Sequence, residues 1–407
     1  MTSEPTTSET ATRLAIGDEV VVDITAVAHG GHCIARHLGQ VLFVRHCLPG
    51  ERVQVRITDA PQHGRFARAD TTQVVIASPH RVKAPCAYAG RCGGCDWQHA
   101  DIEYQREMKA DVVREQLTRL GGETPESWSS LTVQPLAGDD QGLRWRTRMR
   151  FAVDGAGRAG LRAHRSHDLV AIDQCVIAAP GITDLAITQG AWEGSTEVLG
   201  ISPAASTPIA LADPRPGMAK VREIAADRTW AIDATAFWQV HPGAADAFIS
   251  TIRHMLQPQP GEHILDLYAG VGLFAVPLAI DVGSAGRVDA VESDPVALRN
   301  AKRACHDVPH VRLHEARVDT WLQRSGIKQC DAIVLDPPRT GAGRKIMTSL
   351  LGLKPRAVAY VACDPAALAR DIAEAKKLGW RLADLQAFDA FPMTHHVECI
   401  ALLTPDR

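Results

Sequence analysis

The sequence predicts an α/β protein: a C-terminal parallel sheet flanked by helices, preceded by a small β-barrel and a mixed α+β segment. Three observations predict it. From about Ala244 onward, short apolar runs alternate with amphipathic ones, the mark of β-α repeats. Residues Leu14 to Val75 instead hold several short β-type runs cut by Gly30-Gly31 and Pro49-Gly50. Between them lie a cysteine cluster and one long helical pattern. A chain of 407 residues has room for two or three domains, each with its own core.

Hydrophobic residues make up 45% and charged residues 22%, an ordinary globular balance. A net charge of -3 means that any nucleic-acid site must be a local patch. No apolar run approaches the ~20 residues of a membrane span. Met1–Thr12, rich in Thr, Ser and Glu, reads as a disordered tail without an export signal. The cytoplasm is therefore expected, and the ten cysteines should be thiols or metal ligands.

In chain order, Glu19–Val27, Gln40–Val44 and Val53–Thr58 read as strands of the barrel, a form that binds oligonucleotides on one face. Arg65 and Arg68 flank Phe66 and suit phosphate contact with base stacking, or an ordinary solvated turn. Cys86-x5-Cys92-x2-Cys95 follows, with Gly93 and Gly94 letting the backbone wrap. Three cysteines so close predict a metal site, with Cys175 as the next available ligand. Zinc and a [4Fe–4S] cluster both accept four thiolates. Zinc favours paired Cys-x2-Cys knuckles and Cys175 has no such mate, which tilts the spacing towards the cluster.

Asp101–Leu120 reads as a helix with Ile102, Met108, Val112, Leu117 and Leu120 on one face, stopped by Gly121-Gly122. A loop to about Gln141 follows. Leu143–Phe151 reads as a strand that aligns Arg144, Arg146, Arg148 and Arg150 on one face. That row suggests a phosphate track; a solvated face with acidic partners is the alternative. Gly190–Trp230 carries little signal beyond strands and loops.

The strands predicted for the sheet are His263–Tyr268, Arg287–Glu292, His310–His314, Asp331–Leu335 and Ala357–Ala362, with Leu382–Ala387 and Glu398–Leu403 as a closing antiparallel pair. The first runs into Asp266-Leu-Tyr-Ala-Gly270-Val-Gly272, where a ligand can approach the backbone at a helix start. Glu292 ends the second, where a carboxylate accepts from ribose hydroxyls. A dinucleotide and S-adenosylmethionine both carry such a ribose. Asp266, facing a cationic cofactor, and the antiparallel pair favour the latter.

Asp336-Pro-Pro-Arg-Thr-Gly ends the fourth strand at the carboxyl edge of the sheet. Cys363 stands at the joint between the fifth strand and a helix begun by Pro365, with Asp364 as N-cap. Helix N-termini lower thiol pKa values, which makes Cys363 a candidate nucleophile; a small buried residue at a strand end is the alternative. Phe391-Pro-Met-Thr-His-His-Val-Glu398 supplies a carboxylate base, with His395 and His396 as alternatives. A thiol and a base suit addition at C6 of uracil, methylation at C5 and loss of the C5 proton.

These motifs resemble the RNA uridine-C5 methyltransferase family, most closely its branch with a TRAM domain and an iron–sulfur cluster, of which bacterial 23S ribosomal RNA enzymes are the type. The likeness runs from about Leu14 to Thr404. It rests on the cysteine pattern, Phe237-Trp-Gln-Val-His, Asp266-Leu-Tyr-Ala-Gly-Val-Gly, Asp336-Pro-Pro-Arg-Thr-Gly, Tyr360-Val-Ala-Cys-Asp-Pro-Ala-Ala-Leu-Ala-Arg-Asp and Phe391-Pro-Met-Thr-His-His-Val-Glu. The resemblance implies a class I, Rossmann-like seven-stranded methyltransferase domain over 236–407, an OB-like TRAM barrel over 13–75 and a cluster-bearing central domain over 76–235. It implies S-adenosylmethionine held by Gln239, Tyr268, Glu292 and Asp336, a [4Fe–4S] cluster on Cys86, Cys92, Cys95 and Cys175, and the 101–120 helix packed on the catalytic domain. His241, Leu273 and Asp364 depart from the family's usual Asn, polar residue and Asn. The expected partner is structured RNA, 23S ribosomal RNA ahead of transfer RNA, and the expected state is a monomer. A non-catalytic cluster-bearing RNA-binding protein and a nicotinamide-dependent dehydrogenase are the competing readings; neither uses the whole set of motifs.

Overall fold

The computed structural model describes residues 14–61 and 66–406. The tail expected over Met1–Thr12 and the expected contact at Arg65 lie outside the described residues. Five strands, β1 (Glu19–Val27), β2 (Cys33–His37), β3 (Gln40–Arg45), β4 (Arg52–Asp59) and β5 (Phe66–Ile76), close into a barrel in the order β1-β2-β3-β5-β4. Closure leaves no unpaired strand edge. Alternate residues such as Val22, Ile24, Leu42, Val44, Val53 and Ile57 fill its interior. The two strands not read from sequence, β2 and β5, carry too few apolar residues to stand out; their pairing partners make them strands. Arg68 lies 5.7 Å from the centre of the Phe66 ring.

Next comes α1 (Ile102–Arg119), capped by the Asp101 carboxylate, which accepts from Tyr104 N–H at 2.8 Å. Met108, Val112 and Leu117 are buried as the periodicity predicts, but Leu120 is the C-cap and exposed. The helix also buries Gln105, Arg106 and Lys109. Polar groups are tolerated inside only when partnered. Lys109 Nζ pairs with Asp389 and donates to the Phe391 carbonyl at 3.0 Å, so α1 is bonded to the chain leading into Glu398. The segment read as a loop contains a two-residue strand, β6 (Val133–Gln134).

A five-stranded sheet follows, formed by β7 (Arg148–Val153), β8 (Ala159–Arg162), β9 (Leu169–Val170), β10 (Glu197–Ile201) and β11 (Ile209–Ala212), in the order β11-β10-β7-β8-β9. A hairpin of β12 (Lys220–Ala225) and β13 (Arg228–Asp233) completes the segment. Here the row of four arginines is corrected. The strand begins only at Arg148, and Arg144 has a left-handed backbone, φ +55°. Arg144 pairs with Asp140, and Arg150 with Glu197. Arg148 is buried, 2.9 Å from the Glu223 carboxylate, and donates to the carbonyls of Ala234 and Ala236. Three of the four guanidiniums are thus paired with carboxylates and Arg148 is buried, so the four do not form one exposed row.

The C-terminal sheet contains β14 (His263–Leu267), β15 (Arg287–Glu292), β16 (Val311–Glu315), β17 (Ala332–Leu335), β18 (Ala357–Ala362), β19 (Trp380–Phe388) and β20 (Glu398–Pro405). Its order is β16-β15-β14-β17-β18-β20-β19-β6, parallel except for β20. The seven strands read from sequence are present, and β6 adds an eighth at the edge. Helices pack on both faces and bury two apolar layers. After α2 (Pro180–Asp184), the helices are α3 (Ala244–Leu256), α4 (Ala275–Val282), α5 (Pro295–Ala304), α6 (Val318–Arg324), α7 (Gly343–Leu351) and α8 (Pro365–Lys377), with α3 and α4 packed on one face and α7 and α8 on the other. Among the described residues, no helix is long and apolar enough to cross a membrane.

Candidate active site

The strand order reverses at β14, between β15 and β17, which opens a crevice at the carboxyl ends of these strands. Tyr268, the first residue beyond β14, has φ +65°. A tyrosine in the left-handed region is uncommon and marks a constrained site. Gly270 and Gly272, at φ +55° and +87°, carry the turn on. One Glu292 oxygen accepts from Gly270 N–H at 2.9 Å, and the other from Ser293 N–H and Asp294 N–H at 2.6 and 2.7 Å. Glu292 therefore ties the glycine turn to the end of β15. Gln239, on the approach to the Ala244–Leu256 helix, is buried.

Asp266 and Glu398 are buried at this crevice, and Asp336 is partly buried. Burial pushes Asp336 up to about 7 and Asp266 up to about 8, the latter against a weak contact from Ala275 N–H. Burial and the neighbouring Asp336 push Glu398 well above the carboxylate range. Arg339 is the cation that opposes the Glu398 shift. A crevice with such a surplus of buried acid suits a cationic ligand.

The loop leaving Asp336 is held by Asp371, the last residue of the Tyr360–Asp371 motif. Its carboxylate accepts from Tyr360 O–H and Ala342 N–H at 2.7 Å and from Gly343 N–H at 3.0 Å. Gly341 is required there, because a Cβ would sit 2.7 Å from the Asp371 oxygen.

Cys363 follows β18, with Asp364 capping α8 through Ala367 N–H at 2.8 Å. Ala362 pairs with Cys399 across the antiparallel β18–β20 register, so Cys363 and Glu398 face one another one step further on. Thirty-five positions of chain are closed by that pairing. The expected low thiol pKa is corrected: burial, with the Glu398 carboxyl next in weight, pushes Cys363 up to about 11. In the unliganded protein, desolvation and a like charge outweigh the helix end. His396 is half-buried and held down to about 3 by desolvation and His395, so it is a weak base. His395 Nδ1 lies 2.6 Å from the Asp96 carboxylate, which also accepts His395 N–H.

Asp96 directly follows Cys95. Cys86, Cys92, Cys95 and Cys175 all line one cavity of about 670 Å³, which Arg339, His395 and His396 also reach. Backbone N–H groups of Tyr88 and Gly94 point at the sulfurs of Cys86 and Cys92, each at 3.4 Å. Gly93 presses on the Ala163–His164 backbone, where a Cβ would approach within 2.8 Å. Among the described residues, no three His, Cys, Asp or Glu side chains are gathered to hold a metal ion. Asp96, Arg339, Asp371 and His29 were not singled out from sequence as site residues. Asp96, Arg339 and Asp371 had a signal, since each adjoins or ends a quoted motif; His29 had none.

The fold and the crevice define a class I methyltransferase. Residues 229–406 match the family described as tRNA (Uracil-5-)-methyltransferase, and residues 13–71 match the TRAM domain. An uncharacterized RNA methyltransferase of Streptomyces avermitilis is 46% identical over 96% of this chain and 99% of its own. The 23S rRNA (uracil(1939)-C(5))-methyltransferase RlmD of Chromohalobacter salexigens is 32% identical over 95% of this chain and 89% of its own. The tRNA (uracil-54, C5)-methyltransferase of Pyrococcus abyssi, solved with S-adenosyl-L-homocysteine, shares the fold with a TM-score of 0.69 at 21% identity, over 94% of this chain and 99% of its own. The chain belongs to the RNA uracil-C5 methyltransferase family, whose members are S-adenosylmethionine-dependent enzymes.

Proposed function

We propose that the chain methylates C5 of one uridine in 23S ribosomal RNA, with Cys363 as nucleophile and Glu398 as base. The Cys363 thiol gives up its proton to solvent and its thiolate Sγ bonds to C6 of the extruded ring, which makes C5 an enolate carbon. S-adenosylmethionine, when bound, would supply the methyl group to C5 and leave as S-adenosylhomocysteine. Glu398 then takes the C5 proton, the thiolate leaves, and the C5–C6 double bond returns. Gln239, Tyr268, Glu292 and Asp336 would hold the cofactor. The observation that carries this reading is the β18–β20 register, which opposes thiol and carboxylate at one crevice. The barrel and the Arg68–Phe66 pair contact flanking RNA. The RlmD relative supports ribosomal RNA over transfer RNA as substrate. We assign the work to a cytoplasmic monomer.

Cys86, Cys92, Cys95 and Cys175 would hold a [4Fe–4S] cluster. Their common cavity and the N–H groups aimed at two of the sulfurs fit thiolates. A single zinc at ~2.3 Å from each sulfur would need them tightly gathered, whereas a cluster gives each cysteine its own iron. The group would cross-link the Cys86–Cys95 segment to Cys175 and so fix Asp96 under His395.

Glu398→Gln tests the chemistry. Addition without proton loss should leave a protein–RNA adduct that survives denaturing electrophoresis, and free protein alone would count against Glu398. Cys363→Ala should abolish turnover. Mapping 5-methyluridine in 23S and transfer RNA from cells with and without the gene decides the substrate.

A further inference from the structure

The turn between β1 and β2 does not stop at the surface of the barrel; it enters the active site. Gly30 and Gly31 have φ +92° and +84°, so the chain turns there without side chains. Gly31 lies against His395: a Cβ on it would come within 2.9 Å of the ring nitrogen Nδ1. Trp97 Nε1–H donates to the Gly31 carbonyl at 3.2 Å. Beside this seat, His29 Nε2 meets the Asp364 carboxylate at 3.0 Å. The other Asp364 oxygen caps α8 immediately behind Cys363. His29, Cys363, Asp364, Arg339 and His396 line a pocket of about 120 Å³. The His29 side chain remains 38% exposed, so a base that enters the pocket meets it.

We propose that the barrel contributes a positioning residue to catalysis: His29, anchored on Asp364, holds the Cys363 turn and forms one wall around the extruded pyrimidine. A single carboxylate thus links three things, the barrel, the cap of α8 and the turn bearing the sulfur. Nothing in the β-hairpin itself needs a histidine at this place. Its partner lies 335 positions along the chain, in the turn that carries Cys363. The inference rests on the reading of Cys363 as nucleophile.

The test uses the full-length holoenzyme and total RNA from cells lacking the gene, under single-turnover conditions with enzyme in excess. Methyl incorporation is followed together with iodoacetamide alkylation of Cys363, read by mass spectrometry of its peptide without RNA. His29→Ala should slow methyl transfer about ten- to a hundredfold at saturating enzyme, since small misplacements of a reacting group cost that much. It should also change the alkylation rate of Cys363 by about threefold or more, because access and ionisation govern thiol reactivity. His29→Gln, which keeps a donor for Asp364, should recover most of both. Asp364→Asn keeps an N-cap but loses the charge, and should reproduce the alkylation change even if His29→Ala folds poorly. Wild-type transfer and alkylation in His29→Ala would overturn the proposal. So would a defect cured by more enzyme, which would make His29 an ordinary RNA contact. Turnover by Cys363→Ala, run in parallel, would instead sink the nucleophile reading.

Discussion

The buried acid of the crevice should make cofactor binding depend on pH. Asp336 is partly buried, and desolvation alone pushes it up to about 7. A cationic sulfonium favours the ionised carboxylate, so binding should tighten as pH rises through that value. A carboxylate of pKa about 7 is ionised in roughly one molecule in eleven at about pH 6 and ten in eleven at about pH 8. Affinity should therefore rise about tenfold across that interval, worth about 1.4 kcal/mol. S-adenosylhomocysteine carries the same amino-acid end without the sulfonium charge. The ratio of the two dissociation constants, measured calorimetrically at each pH, isolates the effect on Asp336 from titration of the ligand's own amine. Asp336→Asn should flatten that ratio. A ratio independent of pH in the wild type, or a slope that survives in Asp336→Asn, would refute the reasoning.

Three further outcomes follow from burial and packing. The folded-state pKa of Asp266, about 8, lies above its unfolded value, so its contribution to stability is fully present below about pH 4 and is lost as pH rises through about 8. Asp266→Asn should thus leave the unliganded protein more stable than wild type near pH 8, by on the order of 5 kcal/mol at most, and little different near pH 4; urea titrations at both pH values check this. Arg148→Ala leaves Glu223 buried and unpaired, so it should cost about 3–5 kcal/mol of stability without changing the salt dependence of RNA binding. A reduced salt slope in that variant would restore the phosphate track. Gly93→Ala would drive a methyl into the His164 backbone and, with the proposed cluster on Cys86, Cys92, Cys95 and Cys175, should lower the iron content of anaerobically purified protein, read by absorbance and metal analysis.

The seven strands of the catalytic sheet were legible because each is a short apolar run ended by a turn residue, information carried by immediate neighbours. Where a limit moved, as at Tyr268, the cause is a left-handed residue that the crevice demands. The motifs around Cys363, Asp336, Glu292 and Glu398 were legible as well, since spacing along alternating strands delivers side chains to one edge. Strands β2 and β5 were not, because barrel closure rather than their own composition makes them pair. Nor was the fate of Arg148, whose partners Glu223, Ala234 and Ala236 come from the β12–β13 hairpin and the chain just beyond it.

The amino-acid order by itself determined the β-α repeat, the residue types at the crevice and the cysteine spacing, since these depend on local periodicity and on chemistry within a few positions. Tertiary packing alone decided how those groups ionise and what they touch. Desolvation acts on a side chain only once other segments have covered it, and so Cys363 stands at about 11 although it precedes a helix. For the same reason a histidine from the barrel can rest on Asp364, a neighbour that no reading of the β1–β2 turn contains.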